Sequence, residues 1–247
     1  MKSFKLNIAG KIIGVRAILD TTYDFCKSYL AQDNDISDFD IEITEELISE
    51  EEKIQLSEGD YGDAKSLPES YLEPLALYRQ IIKKMLDYDT VMFHGSAIAV
   101  GGEAYIFTAL SGTGKSTHTR LWREYFGSRA VMINDDKPLV SVNKDGLVVH
   151  GTPWNGKHYL GENISVPIKA ICILERDKEN HIEKISAKEA FPMIFQQTFR
   201  PRNQIEFIKT MTLIDKITKG AELYKLGCNM DIEAARVAYE GMRGDKK

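Results

Sequence analysis

The apolar positions along the chain change their spacing several times, and each spacing predicts a different element. Between Phe4 and Leu19 apolar and polar residues alternate loosely, which reads as a strand pair turned near Gly10. DFDIEIT (Asp38–Thr44) alternates as an exposed edge strand does, inside a stretch, 33–63, that otherwise reads as loop-rich and partly ordered. From Tyr71 to Leu86 the spacing lengthens. Leu72, Leu75, Tyr78 or Arg79, Ile82 and Leu86 recur at three and four residues and mark one face of a helix. Ser66 with Glu69 and Ser70 with Glu73 are competing capping boxes for its start, and Pro74 suits its first turn.

The central block predicts strands. Thr90–Val100, Gly101-Gly102 and Glu103–Leu110 form a β-hairpin pattern with a two-glycine turn, and the second strand runs straight into a glycine loop and a helix. Ala130–Asn134 is a short buried strand ending at Asp135-Asp136, two more strands flank Asn143–Gly146, and others follow at Ile168–Glu175 and Asn180–Ile185. Helices are predicted at Ala187–Thr198, capped by Ser186 with Glu189, and at Ile205–Lys219. A strand at Leu223–Cys228 and a helix at Ile232–Met242 complete the pattern. There is no internal repeat and no long linker. Strands and helices mixed with hairpins predict an α/β core with a substantial antiparallel component.

Composition narrows the function classes. With 247 residues, 43% of them hydrophobic, the chain can bury a sizeable core, which excludes wholesale disorder. A net charge of -5 speaks against a nucleic-acid binder. That charge is local: residues 33–63 hold thirteen carboxylates against Lys53 alone, so the other 216 residues sum to +7. The acidic run reads as a solvated face or as a receiver of basic peptide. No run approaches the roughly 18–20 apolar residues of a membrane span, and the first twenty residues lack a signal-peptide pattern. Cys26, Cys172 and Cys228 have no CxxC spacing, and Cys172 and Cys228 sit in apolar runs as buried packing residues. A cytoplasmic setting without membrane partners is expected.

The chemistry concentrates in one place. Ala109-Leu110-Ser111-Gly112-Thr113-Gly114-Lys115-Ser116 fits the phosphate-loop (Walker A) pattern with Ala in place of the first Gly. Gly112 and Gly114 let backbone N–H groups converge on phosphate oxygens, Lys115 brings charge to the β- and γ-phosphates, and the Ser116 hydroxyl can ligate Mg²⁺. The helix that follows adds its N-terminal dipole. Ser111, Thr113 and Thr117 complete the nucleotide-binding set, with Thr117 toward the α-phosphate. Asp135 and Asp136, ending a buried strand, suit a metal site and a general base beside that loop. Trp154 and Lys157, with Asn155 and His158, lie in a Pro/Gly-punctuated loop suited to an acceptor or to a structural turn. His118, His150 and His181 have no ligand-like spacing, and Trp122 with Phe126 at i, i+4 reads as core.

FHGSA (Phe93–Ala97), SGTGKST (Ser111–Thr117) and INDDKP (Ile133–Pro138), in that order, resemble the HPr kinase/phosphorylase family and the related phosphoenolpyruvate carboxykinases. THTRLW (Thr117–Trp122), GTPWNGK (Gly151–Lys157) and YKLGCNMDIEAARVAYE (Tyr224–Glu240) resemble a group of HPr-kinase-like proteins, over about residues 66 to 243. The resemblance implies an α/β, mixed-sheet phosphate-loop kinase core at 66–247, preceded by a small acidic, β-rich region at 1–65. It implies that Lys115 binds phosphate and that Ser116 with Asp136 holds Mg²⁺. Asp135 would take the proton from an attacking hydroxyl, and His94 would orient that carboxylate or ligate a second metal. Arg200 resembles an arginine that the superfamily brings to the phosphates. The family's arginine- and glycine-rich signature is missing from GTPWNGKHYLGENISVP, where Glu162 is the one carboxylate. The activity implied is ATP- and Mg²⁺-dependent transfer of the γ-phosphate to a hydroxyl, serine foremost, of a small protein, peptide or metabolite. Phosphorylase or phosphatase action on a phosphoserine, and a non-catalytic nucleotide-dependent regulatory or peptide-binding module, are the alternatives.

Overall fold

The structure, a computed structural model, describes residues 1–32, 34–58 and 65–244. Asp33, Asp60 and Asp63 of the acidic run lie outside the described residues. The contacts divide the chain into two compact units, Met1–Lys84 and Met85–Lys247.

In the first unit β1 (Lys2–Ile8) and β2 (Lys11–Ala17) form the hairpin the alternation predicts, turned at Ala9-Gly10. β3 (Phe39–Glu42) joins β2 in parallel as the edge strand of a three-stranded sheet. Leu6, Ile8, Ile13 and Val15 are buried on it. The acidic run is more regular than its composition suggests. Helix α2 (Glu45–Glu58) occupies much of it, after the short helix α1 (Asp20–Phe25). Its apolar residues are too few to show helical spacing, while consecutive glutamates are good helix formers. Part of that charge is internal: Glu51 is 2% exposed and ion-pairs with Arg79.

Arg79 belongs to α3 (Glu69–Met85), which matches the predicted helix. Its start does not use the predicted second capping box. Glu73 is fully buried and accepts hydrogen bonds from the Ile18 and Leu19 N–H groups and the Thr22 hydroxyl, tying α3 to the chain that enters α1. Pro74 falls in the second turn, beyond the first-turn place expected for it. α3 groups with the N-terminal strands, although the sequence places the domain boundary ahead of it.

The second unit is built on a nine-stranded mixed sheet. The expected single strand Thr90–Val100 is two: β4 (Thr90–Met92) and β5 (Ser96–Val100), broken at Phe93–Gly95. β4 pairs with β8 (Leu139–Asn143), and β5 forms the two-glycine hairpin with β6 (Glu103–Thr108). β7 (Ala130–Asn134) pairs with β5, and β9 (Gly146–His150) with β8. The long strand β10 (Ser165–Arg176) curls the sheet. Its first residues pair with β9, and the rest runs parallel to β6 on one edge and to β12 (Glu222–Cys228) on the other. β11 (His181–Lys184) closes on β12.

Helices cover this sheet with two apolar clusters. α4 (Lys115–Phe126) and α7 (Glu233–Met242) pack with Trp122, Phe126, Tyr105 and Phe107, where Trp122 lies tilted or edge-on to four aromatic rings at 4.9–5.8 Å between centroids. α5 (Ala187–Gln197) and α6 (Gln204–Gly220) bury Ile194, Leu213, Ile214 and Ile217 in the other cluster. The Ser186–Glu189 capping box that starts α5 is present in both directions. Cys172 is buried as predicted, whereas Cys228, at the end of β12, is half-buried. Among the described residues no helix is long and apolar enough to cross a membrane.

Candidate active site

Strand direction gathers the site. β5 runs antiparallel to both β6 and β7, so the start of β5 and the ends of β6 and β7 lie at one end of the sheet. β10 and β12 run parallel to β6 and finish there too. His94 precedes β5, the Ser111–Gly114 turn follows β6, and Asp135-Asp136 follows β7, each in a loop at the sheet end where open α/β folds bind ligands.

The glycine turn is built on backbone that other residues rarely adopt, with φ of +75° at Gly112 and +124° at Gly114. α4 begins at Lys115, whose Nζ donates to the Ala109 carbonyl at 3.3 Å across the turn. Burial lowers the Lys115 pKa, against the opposing pull of Asp136 and then Asp135. Ser111, Gly112 and Ser116 are exposed, and Thr113, Gly114 and Thr117 are partly exposed, so the turn is open to a ligand. Arg176, closing β10, donates from Nη2 to the Gly112 carbonyl and from Nε to the Thr113 carbonyl at 3.3 Å. Sequence reasoning missed this residue, because an arginine ending an apolar strand carries no motif.

Asn134 turns the chain after β7. Its Oδ1 accepts from the N–H groups of Asp136 (2.9 Å) and Lys137 (2.8 Å), an Asx turn, while its Nδ2 donates to Thr152. The two carboxylates then meet different partners. Asp135 is buried, with Oδ1 accepting from Ser96 Oγ at 2.6 Å and lying 3.4 Å from Thr119 Oγ1. Thr119 is one turn beyond Lys115, so Asp135 sits against the first turns of α4. Asp136 is partly exposed, lies 3.2 Å from His94 Nε2 and ion-pairs with Lys137. Burial alone would raise its pKa, but His94 and Lys137 outweigh that and bring it to about 2.

His94 is therefore on Asp136 and does not orient Asp135 as expected. The backbone decides this. Phe93 N donates to the Pro138 carbonyl, His94 N to the Gln197 carbonyl and Gly95 N to the Asp136 carbonyl, which fixes the segment beside the second carboxylate. Two further expectations are corrected. Trp154 is 4% exposed and offers no open face to an acceptor. Arg200 donates from Nη1 to the Phe195 and Gln196 carbonyls, both at 2.8 Å, so its guanidinium caps α5. Lys157 is exposed on the turn that follows Trp154, along with His158 and Tyr159. Gly156 holds that turn close: it has φ +78°, and a Cβ there would come within 3.2 Å of Asp136 Cβ.

Among the described residues no group of three or more His, Cys, Asp or Glu side chains could hold a metal. The hard oxygens of Ser116, Asp135 and Asp136 suit Mg²⁺, which takes one or two carboxylates and completes its shell with phosphate oxygens and water.

The chain matches no family model and no curated protein. Among solved structures it aligns with the Hpr(Ser) kinase/phosphatase from Coxiella burnetii at 10% identity and a TM-score of 0.35, over 62% of this chain and 99% of that one. A likeness that distant leaves the chemistry to be argued from the residues themselves.

Proposed function

We propose that the protein is an ATP- and Mg²⁺-dependent phosphotransferase that moves a γ-phosphate to a hydroxyl, serine foremost, of a small protein, peptide or metabolite. The observation that carries this reading is that the glycine turn and Asp135-Asp136 lie at the same sheet end, with Asp135 tied to α4 through Thr119 and both carboxylates acting electrostatically on Lys115. A cation and two carboxylates at a loop of exposed, left-handed glycines match the needs of phosphoryl transfer, in which positioning and charge stabilisation do most of the work.

In this reading the turn's N–H groups and Lys115 hold the phosphates, and Thr117 approaches the α-phosphate. Mg²⁺, held by Ser116 and Asp136, supplies charge neutralisation on the transferring phosphoryl when bound. A carboxylate that stays ionised down to about pH 2 suits that role. Asp135, its Oδ1 anchored by Ser96, accepts the acceptor hydroxyl's proton through its other oxygen. His94 positions Asp136, and Lys157 contributes charge at the acceptor side.

The test is γ-labelled ATP with Mg²⁺ and a panel of serine peptides, small proteins and hydroxylated metabolites. Label should reach a hydroxyl acceptor with the wild-type protein and not with Asp135→Asn. Full transfer by both Asp135→Asn and Asp136→Asn would contradict the reading.

A further inference from the structure

A cavity of about 480 Å³ opens beside the glycine turn, at the ends of β10 and β12. Its size falls within the roughly 300–1,000 Å³ of small-molecule sites. Gly112, Gly114 and Thr117 form its border with the turn, and its further walls include Leu121, Leu174 and Met230. His118 also lines it, 2% exposed, and its Nδ1 has no hydrogen-bond partner.

The protonation of that ring follows from its neighbours. Trp122 Nε1 can only donate, and it donates to His118 Nε2 at 3.0 Å, so Nε2 carries no proton. The remaining proton is therefore on Nδ1, and a buried N–H donor without an acceptor is costly. Phe107, edge-on at 4.5 Å between ring centroids, holds the imidazole in place. The cavity thus offers apolar walls, a thioether suited to an aromatic face and one buried donor, next to a turn suited to phosphate.

We infer that this cavity receives the base of a nucleoside triphosphate, with His118 Nδ1–H donating to a ring nitrogen or carbonyl of that base. The inference rests on the phosphate-loop reading above, and it adds the residues that make the ligand a nucleotide rather than a bare polyphosphate.

Calorimetric titration with ATP, GTP and inorganic tripolyphosphate, each with Mg²⁺, separates the two. The wild type should bind ATP or GTP at least about tenfold more tightly than tripolyphosphate. His118→Phe should weaken the preferred nucleotide roughly three- to tenfold, the cost of one neutral hydrogen bond, and leave tripolyphosphate unchanged. Nucleotides binding no better than tripolyphosphate, or unaltered nucleotide affinity in His118→Phe, overturns the base site while the phosphate site stands. Failure of all three ligands to bind overturns the phosphate-loop reading and the base site with it. Because His118→Phe strands the Trp122 N–H, a second measurement uses the wild type. Cys228 is half-buried on the cavity wall, while Cys26 and Cys172 are fully buried. The preferred nucleotide should slow alkylation of Cys228 by iodoacetamide and tripolyphosphate should not. Equal rates with either ligand overturn the assignment.

Discussion

Asp135 and Asp136 are neighbours in the chain and live in different surroundings. The first is buried under two hydroxyls, and the second is half-open between His94 and Lys137. Their substitutions should therefore separate. Asp135→Asn is expected to lower transfer by at least about a hundredfold, as loss of a general base does, while Mg²⁺-dependent nucleotide binding persists. Asp136→Asn should instead lose the Mg²⁺-dependent part of binding, measured as the difference between titrations with Mg²⁺ and with chelator. Equal behaviour of the two variants in both assays would refute the division. Both carboxylates were legible in the sequence, since an Asp pair ending an apolar strand is a local pattern. The partner of His94 was not, because three backbone hydrogen bonds to the carbonyls of Pro138, Gln197 and Asp136 decide where residues 93–95 lie. Trp154 and Arg200 failed for a related reason: their types are common in binding sites, but burial in one case and a helix end in the other had already claimed them.

At the scale of elements, the glycine turn and α4 act as one piece. Trp122 fixes α4 to the sheet, and Trp122→Ala should cost about 3–5 kcal/mol of stability, seen as a lower denaturant midpoint. Arg176 holds the other side of the turn through two of its carbonyls. Arg176→Ala should weaken nucleotide binding several-fold with little change in melting temperature. Arg176→Lys should not restore it, because an ammonium lacks the planar fork that reaches both carbonyls. Full binding in Arg176→Ala would show that the turn keeps its shape unaided. The hairpin, α4 and the capped α5 were legible because periodicity and punctuation are local signals. α2 was not, since a glutamate-rich helix that buries little beyond Ile48 and Glu51 shows no apolar stripe. The break between β4 and β5 was equally hidden, because an apolar run interrupted only at His94-Gly95-Ser96 does not reveal that its halves pair with β8 and β6.

For the whole molecule, charge is the property that the sequence displayed most misleadingly. The acidic run belongs to the unit Met1–Lys84, where Glu51 pairs with Arg79, and the candidate site belongs to Met85–Lys247. Stability in mild acid draws on two buried neutral histidines. His118 has a folded pKa of about 3, and His150, between Ser141 and Ser165 at 2.7 Å each, one of about 4, both below the ordinary 6.5. Below pH 6.5 the unfolded chain takes up protons that the folded chain refuses. Stability is therefore complete above about pH 6.5 and falls as pH drops through 4 and then 3, by up to roughly 1.4 kcal/mol per pH unit for each histidine. Urea unfolding at pH 7 and pH 5 should show this loss, and a midpoint unchanged between them would contradict it.

Lys115 bears most directly on the claim that this site handles phosphate. Titration calorimetry of Mg²⁺–ATP into the wild type and into folded Lys115→Ala isolates its contribution. A phosphate-binding Lys115 predicts saturable binding by the wild type and a loss of at least about a hundredfold in the variant, since a charge-assisted contact to phosphate is removed. Wild-type affinity in Lys115→Ala, or no binding by either protein, would contradict it.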